Sequence, residues 1–247
     1  MLLRRVSENL KSQNWPAVGL DFLVVVIGIF LAFQLERWYS DQRLRSSVEE
    51  RLIALSEDFE SNHDVLVRSI DMRKVALEAA FTLLELDQLE VSELDSDSFY
   101  RALAEVSRTL RPRIRRGAYD VLIATGEIEF IEDQSLKTEL AEYFVILDEL
   151  LVFNEGVWTL DRITFEPYVS RNLDHVAMLH KLHPDRFDKA MPTHDSRQFI
   201  EVLGTTEFEG VVAAKSHATT DEIARLQRLL DRNSKIRERL EESLHVQ

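Results

Sequence analysis

Residues 15 to 38 read WPAVGLDFLVVVIGIFLAFQLERW, and between Ala17 and Phe33 the only charged residue is Asp21. About 20 predominantly apolar residues are needed to cross the ~30 Å hydrocarbon layer of a bilayer, and Trp15 to Leu35 supplies them. Trp15 at one end and Trp38 with Tyr39 at the other suit the two interfacial belts. A cleaved signal peptide has a shorter apolar region followed by small residues. Here Gln34-Leu35-Glu36-Arg37-Trp38 follows, so the segment reads as an uncleaved anchor, and no second such run appears. This sets the expected plan: a basic tail (1–14), a transmembrane helix (15–38) and an extramembrane domain (39–247).

Arg4, Arg5 and Lys11 precede the span, and Arg37, Arg43 and Arg45 follow it. The positive-inside count is nearly tied. The Arg pair and free amine of the short tail favour a cytoplasmic N-terminus, which places the C-terminal domain in the periplasm of a bacterium, anchored in the inner membrane. With Cys absent, disulfides, thiolate metal sites and Cys nucleophiles are excluded. Asp21 is an ionisable group inside the span, costly there and a functional hypothesis by default. Gly28 and Ala32 form a small-xxx-small pair that lets two spans approach. Asp21, Gly28 and Ala32 are therefore the candidates for transmembrane association.

The span GLDFLVVVIGIFLAFQLERW and the segment GAYDVLIATGEIEFIEDQSLKTELAEYF, from Gly117 to Phe144, together resemble a family of bacterial single-span inner-membrane proteins whose common domain has no assigned function. In the first motif this chain carries Gln34-Leu35-Glu36-Arg37-Trp38 where relatives often have Asn before Trp. The resemblance implies a membrane location and a helical domain, and it brings no activity with it.

Gly and Pro are sparse, 7 and 5 in 247 residues, which argues against a turn-dense all-β fold. The expected fold class is all-α: a transmembrane helix continuing into a long stalk helix of an antiparallel bundle, with long helices at about 42–89, 133–165 and 206–245. From Gln42 to Leu89 there is no Gly or Pro. Leu44, Leu55, Leu66 and Leu77 recur every eleven residues, each followed four later by Val48, Phe59, Ile70 and Phe81. A period of 11/3 predicts a straight or slightly right-handed helix. Asp97 or Ser98 is expected to cap the next helix, with Phe99, Leu103, Val106 and Leu110 inward and Pro112 ending it. Gly126 is expected to end a helix over 117–125, with an extended link after it. Asp133 opens a helix with Leu136, Leu140, Phe144, Leu147, Leu151, Asn154 and Trp158 on its buried face. Asp195 is expected to start a short helix. Thr206 with Glu209 reads as the capping box of the last helix, whose stripe is Ile223, Leu226, Leu230, Asn233, Ile236, Leu240 and Leu244.

The net charge of −14 excludes a general nucleic-acid binder. Within it, Arg108, Arg111, Arg113, Arg115 and Arg116 fall in nine residues and are candidate anion contacts, since guanidinium forks match carboxylate and phosphate. The competing reading is that they neutralise nearby acid. His175, His180, His183 and His194 are close in sequence but lack an HExxH spacing, so no metal and no cofactor is expected. GxSxG, SxxK and P-loop signatures are missing, and no catalytic residue is nominated. The expected function is a membrane-anchored helical interaction or sensory-type module without enzymatic activity. The alternatives are an oligomeric assembly organised by the span and, third, an anchored enzyme using Arg108 to Arg116. The partners expected are the lipid bilayer, a second copy of the chain in the oligomeric case, and a protein that the sequence does not identify.

Overall fold

The computed structural model describes residues 15–109, 111–187 and 198–245, apart from the side chains of 15–21, 40, 41, 187 and 245. The described residues are all-α, with no strand among them. The elements are α1 (Trp15–Glu85), α2 (Ser96–Ser107), α3 (Gly117–Thr125), α4 (Gln134–Leu160), a π-helical turn (Asp161–Phe165), α5 (Glu166–Asn172), α6 (His175–Leu182), α7 (Pro184–Phe187), α8 (Phe199–Val202) and α9 (Thr206–His245). The chain divides into two compact units, 1–51 and 52–247.

In the first unit, α1 is long and apolar enough to cross a membrane, by length and composition. The large apolar side chains from Phe22 to Tyr39 are exposed, Phe22 at 69% and Trp38 at 60%, so no core formed by the described residues covers them. Gly28 has open space around it and Ala32 is exposed. The Asp21 side chain lies outside the described residues.

The second unit is built on α1, α4 and α9, and its buried positions correct the eleven-residue period. On α1 the stripe residues Leu55, Phe59, Leu66 and Ile70 are buried as expected, but the buried face runs on as two sets: Leu55, Asn62, Ser69, Ala76 and Leu83, with Leu52, Phe59, Leu66, Arg73 and Ala80. Each set steps by seven. The same holds on α4 for Leu136, Tyr143, Leu150 and Val157, with Leu140, Leu147, Asn154 and Asp161. It holds again on α9 for Phe208, Lys215, Glu222, Leu229 and Ile236, with Val212, Thr219, Leu226, Asn233 and Leu240. A period of 7/2 favours left-handed supercoiling, not the straight or right-handed course expected. The expected stripe fails at Phe81, which is 52% exposed, and at Leu77, half-buried. On α4, Leu150 and Val157 are buried where Leu151 and Trp158 were expected. On α9, Glu222 and Leu229 replace Ile223 and Leu230.

The helices are fastened across these faces by named pairs. Asn233 Nδ2 donates to the Phe59 carbonyl at 3.1 Å, and Arg232 pairs with Glu139 and Glu142. The buried Asn62 amide accepts from Arg115 N at 2.7 Å and donates to Arg115 O at 2.8 Å. Asp58 accepts the Ala118 N–H, satisfying an orphan donor at the start of α3. A second core gathers the short helices around Leu83: Phe99 stacks on Phe199 at 4.6 Å, and Leu103, Val169 and Val212 close over them.

Helix ends were partly as expected. Asp133 caps α4 through Ser135 N and Leu136 N. Asp95, not Asp97 or Ser98, caps α2, which stops at Ser107, before Pro112. Thr205 Oγ1, one residue before the expected capping box, receives Phe208 N. The link after Gly126 is a 3₁₀ turn, Glu127–Phe130, instead of extended chain. Leu110 and Asp195 lie outside the described residues. Gly126 ends α3 at φ 73°, and an added Cβ there would meet nothing within 4 Å. Gly126→Ala should therefore cost only the backbone penalty of the left-handed region, about 1–2 kcal/mol, measured as a shift in chemical denaturation. A larger loss would mean that the position is sterically closed.

Candidate functional site

The core positions of the three long helices hold four charges, with Lys215 and Glu222 one heptad apart on α9. Arg73 of α1 is 5% exposed, Lys215 and Glu222 of α9 are 5% and 2%, and Asp161, at the end of α4, is 6%. Arg73 meets Glu222 with both Nε (2.6 Å) and Nη2 (2.9 Å), the side-on fork that fits a carboxylate. Its Nη1 donates to the Arg108 carbonyl at 2.7 Å. Lys215 Nζ donates to both Asp161 oxygens at 2.5 Å and to Thr109 Oγ1 at 3.2 Å. The Thr109 hydroxyl donates to Asp161 Oδ2. Two cations face two anions, so the cluster is neutral as a whole.

Burial pushes the Lys215 amine below its ordinary pKa, opposed by the Asp161 carboxylate. Burial pushes the Glu222 carboxyl above its ordinary range, opposed by Arg73. In both groups desolvation is the larger influence. The network is therefore costly to bury, and its partners offset that cost.

Pro167 explains why the helix changes beside this cluster. A proline lacks the N–H that would close onto the carbonyl four residues back, and its ring crowds that carbonyl. The ladder widens just before it into the turn Asp161–Phe165, where Glu166 N donates to Asp161 O. Such π turns recur at functional sites.

A cavity of about 480 Å³ opens against this turn. Asp161, Arg162 and Glu166 form one wall, Ser107, Arg108 and Thr109 a second, and Trp158, Leu182 and His183 complete it. Trp158, read from the sequence as core, is 41% exposed at this cavity. The Arg111 guanidinium lies 4.8 Å from its ring centre and that of Arg162 6.0 Å, within cation–π range.

The arginine cluster is thus divided. Arg108 lines the cavity, with Nε and Nη2 on Glu105. Arg111 covers Trp158 and pairs with Glu155. Arg113 is exposed. Arg115 is held through its backbone by Asn62. Arg116 pairs with Asp120 and Asp148 and lies over Phe144. Sequence reasoning missed Arg73, Asp161, Lys215, Glu222 and Arg162. For the first four the available signal was a charged residue falling on a seven-residue repeat of an otherwise apolar face.

Among the described residues no group of three or more His, Asp or Glu side chains is placed to hold a metal ion, and His194 lies outside them. Comparison of the chain with protein-family models, curated proteins and solved structures gives no match.

Proposed function

We propose that the chain is a single-pass, membrane-anchored helical module of interaction or sensory type, without catalytic activity. One observation carries this reading. A single helix, α1, bears both the exposed apolar segment around Phe22 to Tyr39 and Arg73, the residue that joins Glu222 to the Arg108 carbonyl beside the cavity. An element shared in this way suits transmission between an anchor and an extramembrane site. The reading takes the second unit as an antiparallel bundle. Position 59 meets 233 while position 73 meets 222, so that one number rises as the other falls. The resemblance to single-span inner-membrane proteins and the Arg4-Arg5 tail favour an N-terminus inside and a periplasmic domain.

Glu166 lines the cavity as an exposed carboxylate, and a non-catalytic role is favoured because the two buried carboxylates beside it are committed: Asp161 to Lys215 and Thr109, Glu222 to Arg73. A general base needs an acceptor within reach of a substrate proton, and these oxygens face cations instead. Polar groups at core heptad positions hold register at a cost in stability, which suits a bundle that changes state better than a rigid scaffold.

The test of anchoring is direct. A reporter active only outside the cytoplasm, fused after Gln247, is expected to be active in cells, with the chain resisting alkaline extraction from membranes. Activity of a cytoplasm-only reporter would reverse the topology, and release by alkali would remove the anchor.

A further inference from the structure

We propose that the cavity beside the π turn binds a small organic oxyanion, a carboxylate or phosphate carried on a compact apolar or aromatic body. The inference rests on the sensory half of the reading above and is independent of the membrane crossing. About 480 Å³ is within the range of small-molecule pockets, although this one is only partly enclosed. Its charges are unevenly committed. Asp161 brings no net negative charge, because Lys215 holds both its oxygens. Arg108 spends Nε and Nη2 on Glu105, and its Nη1 has no partner among the described residues. Arg162 is exposed, with no carboxylate paired to it among the described residues, and its guanidinium lies 6.0 Å from the Trp158 ring centre. Glu166 is the remaining carboxylate of the lining. Two guanidiniums in one lining, each with donors to spare among the described residues, fit a planar or tetrahedral oxyanion through forked hydrogen bonds. Trp158 and Leu182 then offer an apolar surface for the body of the ligand. An anion drawn to Arg108 acts on the residue whose carbonyl receives Arg73 Nη1, so occupancy would be felt on α1.

Trp158 provides the readout, since the chain has only 3 tryptophans. The full chain in detergent, with Trp15→Phe and Trp38→Phe, reports from the cavity alone. Benzoate and phenyl phosphate are the probes, and neutral benzamide is the control for charge. Either anion should change Trp158 emission saturably, the tighter of the two identifying the headgroup, with benzamide at least about tenfold weaker. Arg162→Gln, at an exposed position where folding should persist, should weaken the anion about tenfold or more. Arg228→Gln, exposed on α9 away from the cavity, should leave it unchanged. The proposal is overturned if neither anion saturates, if benzamide binds as tightly as the anions, or if Arg162→Gln leaves the affinity intact. Because the titration is made in detergent, its failure does not depend on topology, and an inverted reporter would not affect it.

Discussion

Glu222→Leu should lower the stability of the chain by about 3–5 kcal/mol, and adding Arg73→Met should restore most of that loss. The single change leaves the Arg73 guanidinium, 5% exposed, without the carboxylate that meets it at 2.6 and 2.9 Å. A buried charge without its partner keeps its full desolvation penalty. The double change removes both charges and fills their place with side chains of similar volume. What remains lost is the donor to the Arg108 carbonyl, worth about 1–3 kcal/mol if that group stays dry. The direction of the Glu222 shift agrees with this ordering, since burial outweighs Arg73 in raising its pKa. Denaturant melts of wild type, single and double variants in detergent give the comparison. A double variant as unstable as the single one would mean that the ion pair is a net stabiliser of the bundle and that the desolvation argument is wrong here.

How far the sequence could be read depended on whether a residue's role was local. The helical class, the exposed apolar segment, the Asp133 cap and the Gly126 stop are each decided within a few residues, and each could be read directly. The packing period was not. Scoring apolar residues alone passes over Asn62, Ser69 and Arg73 on α1, and over Asn154 and Asp161 on α4. Without them the remaining leucines and phenylalanines fall on an accidental eleven-residue rhythm. Each skipped residue but Asn154 is buried with a partner that satisfies it: Asn62 on the Arg115 backbone, Ser69 on Val65 O, Arg73 on Glu222. The last pair is 149 residues apart in sequence, beyond any local pattern. Asn154 is the exception, with both amide atoms buried and unpaired among the described residues.

The candidate site was legible only at its edge. Five arginines in a row of nine drew notice, and two of them do reach the cavity or its tryptophan. Arg115 and Arg116 are taken up by α1, α3 and α4 contacts instead. Pro167 lies just beyond the end of the helix expected over 133–165. Its effect is a widened turn that lets the helical path continue into α5 and places Arg162 on the cavity wall.

The two periods make opposite statements about Phe59 and Phe81, and this gives the sharpest test of the fold. In the eleven-residue reading they are equivalent, both lying four residues after a stripe leucine. In the heptad reading Phe59 is a core position and Phe81 is not. The structure places Phe59 at 0% exposure, its ring 4.8 Å from Tyr143 and 6.3 Å from Phe144, while Phe81 is 52% exposed. Phe59→Ala should cost about 3–5 kcal/mol, the transfer of a buried ring plus the cavity left behind. Phe81→Ala should stay within about 0.5 kcal/mol, as surface changes do. Glu57, exposed on the same helix, serves as a surface control. The measurement is helicity against denaturant in detergent, repeated at two protein concentrations. Equal losses at Phe59 and Phe81 would restore the eleven-residue stripe and undo the heptad core. A loss at Phe81 confined to the higher concentration would instead show that its face is covered by a second copy, leaving the heptad core within one chain intact.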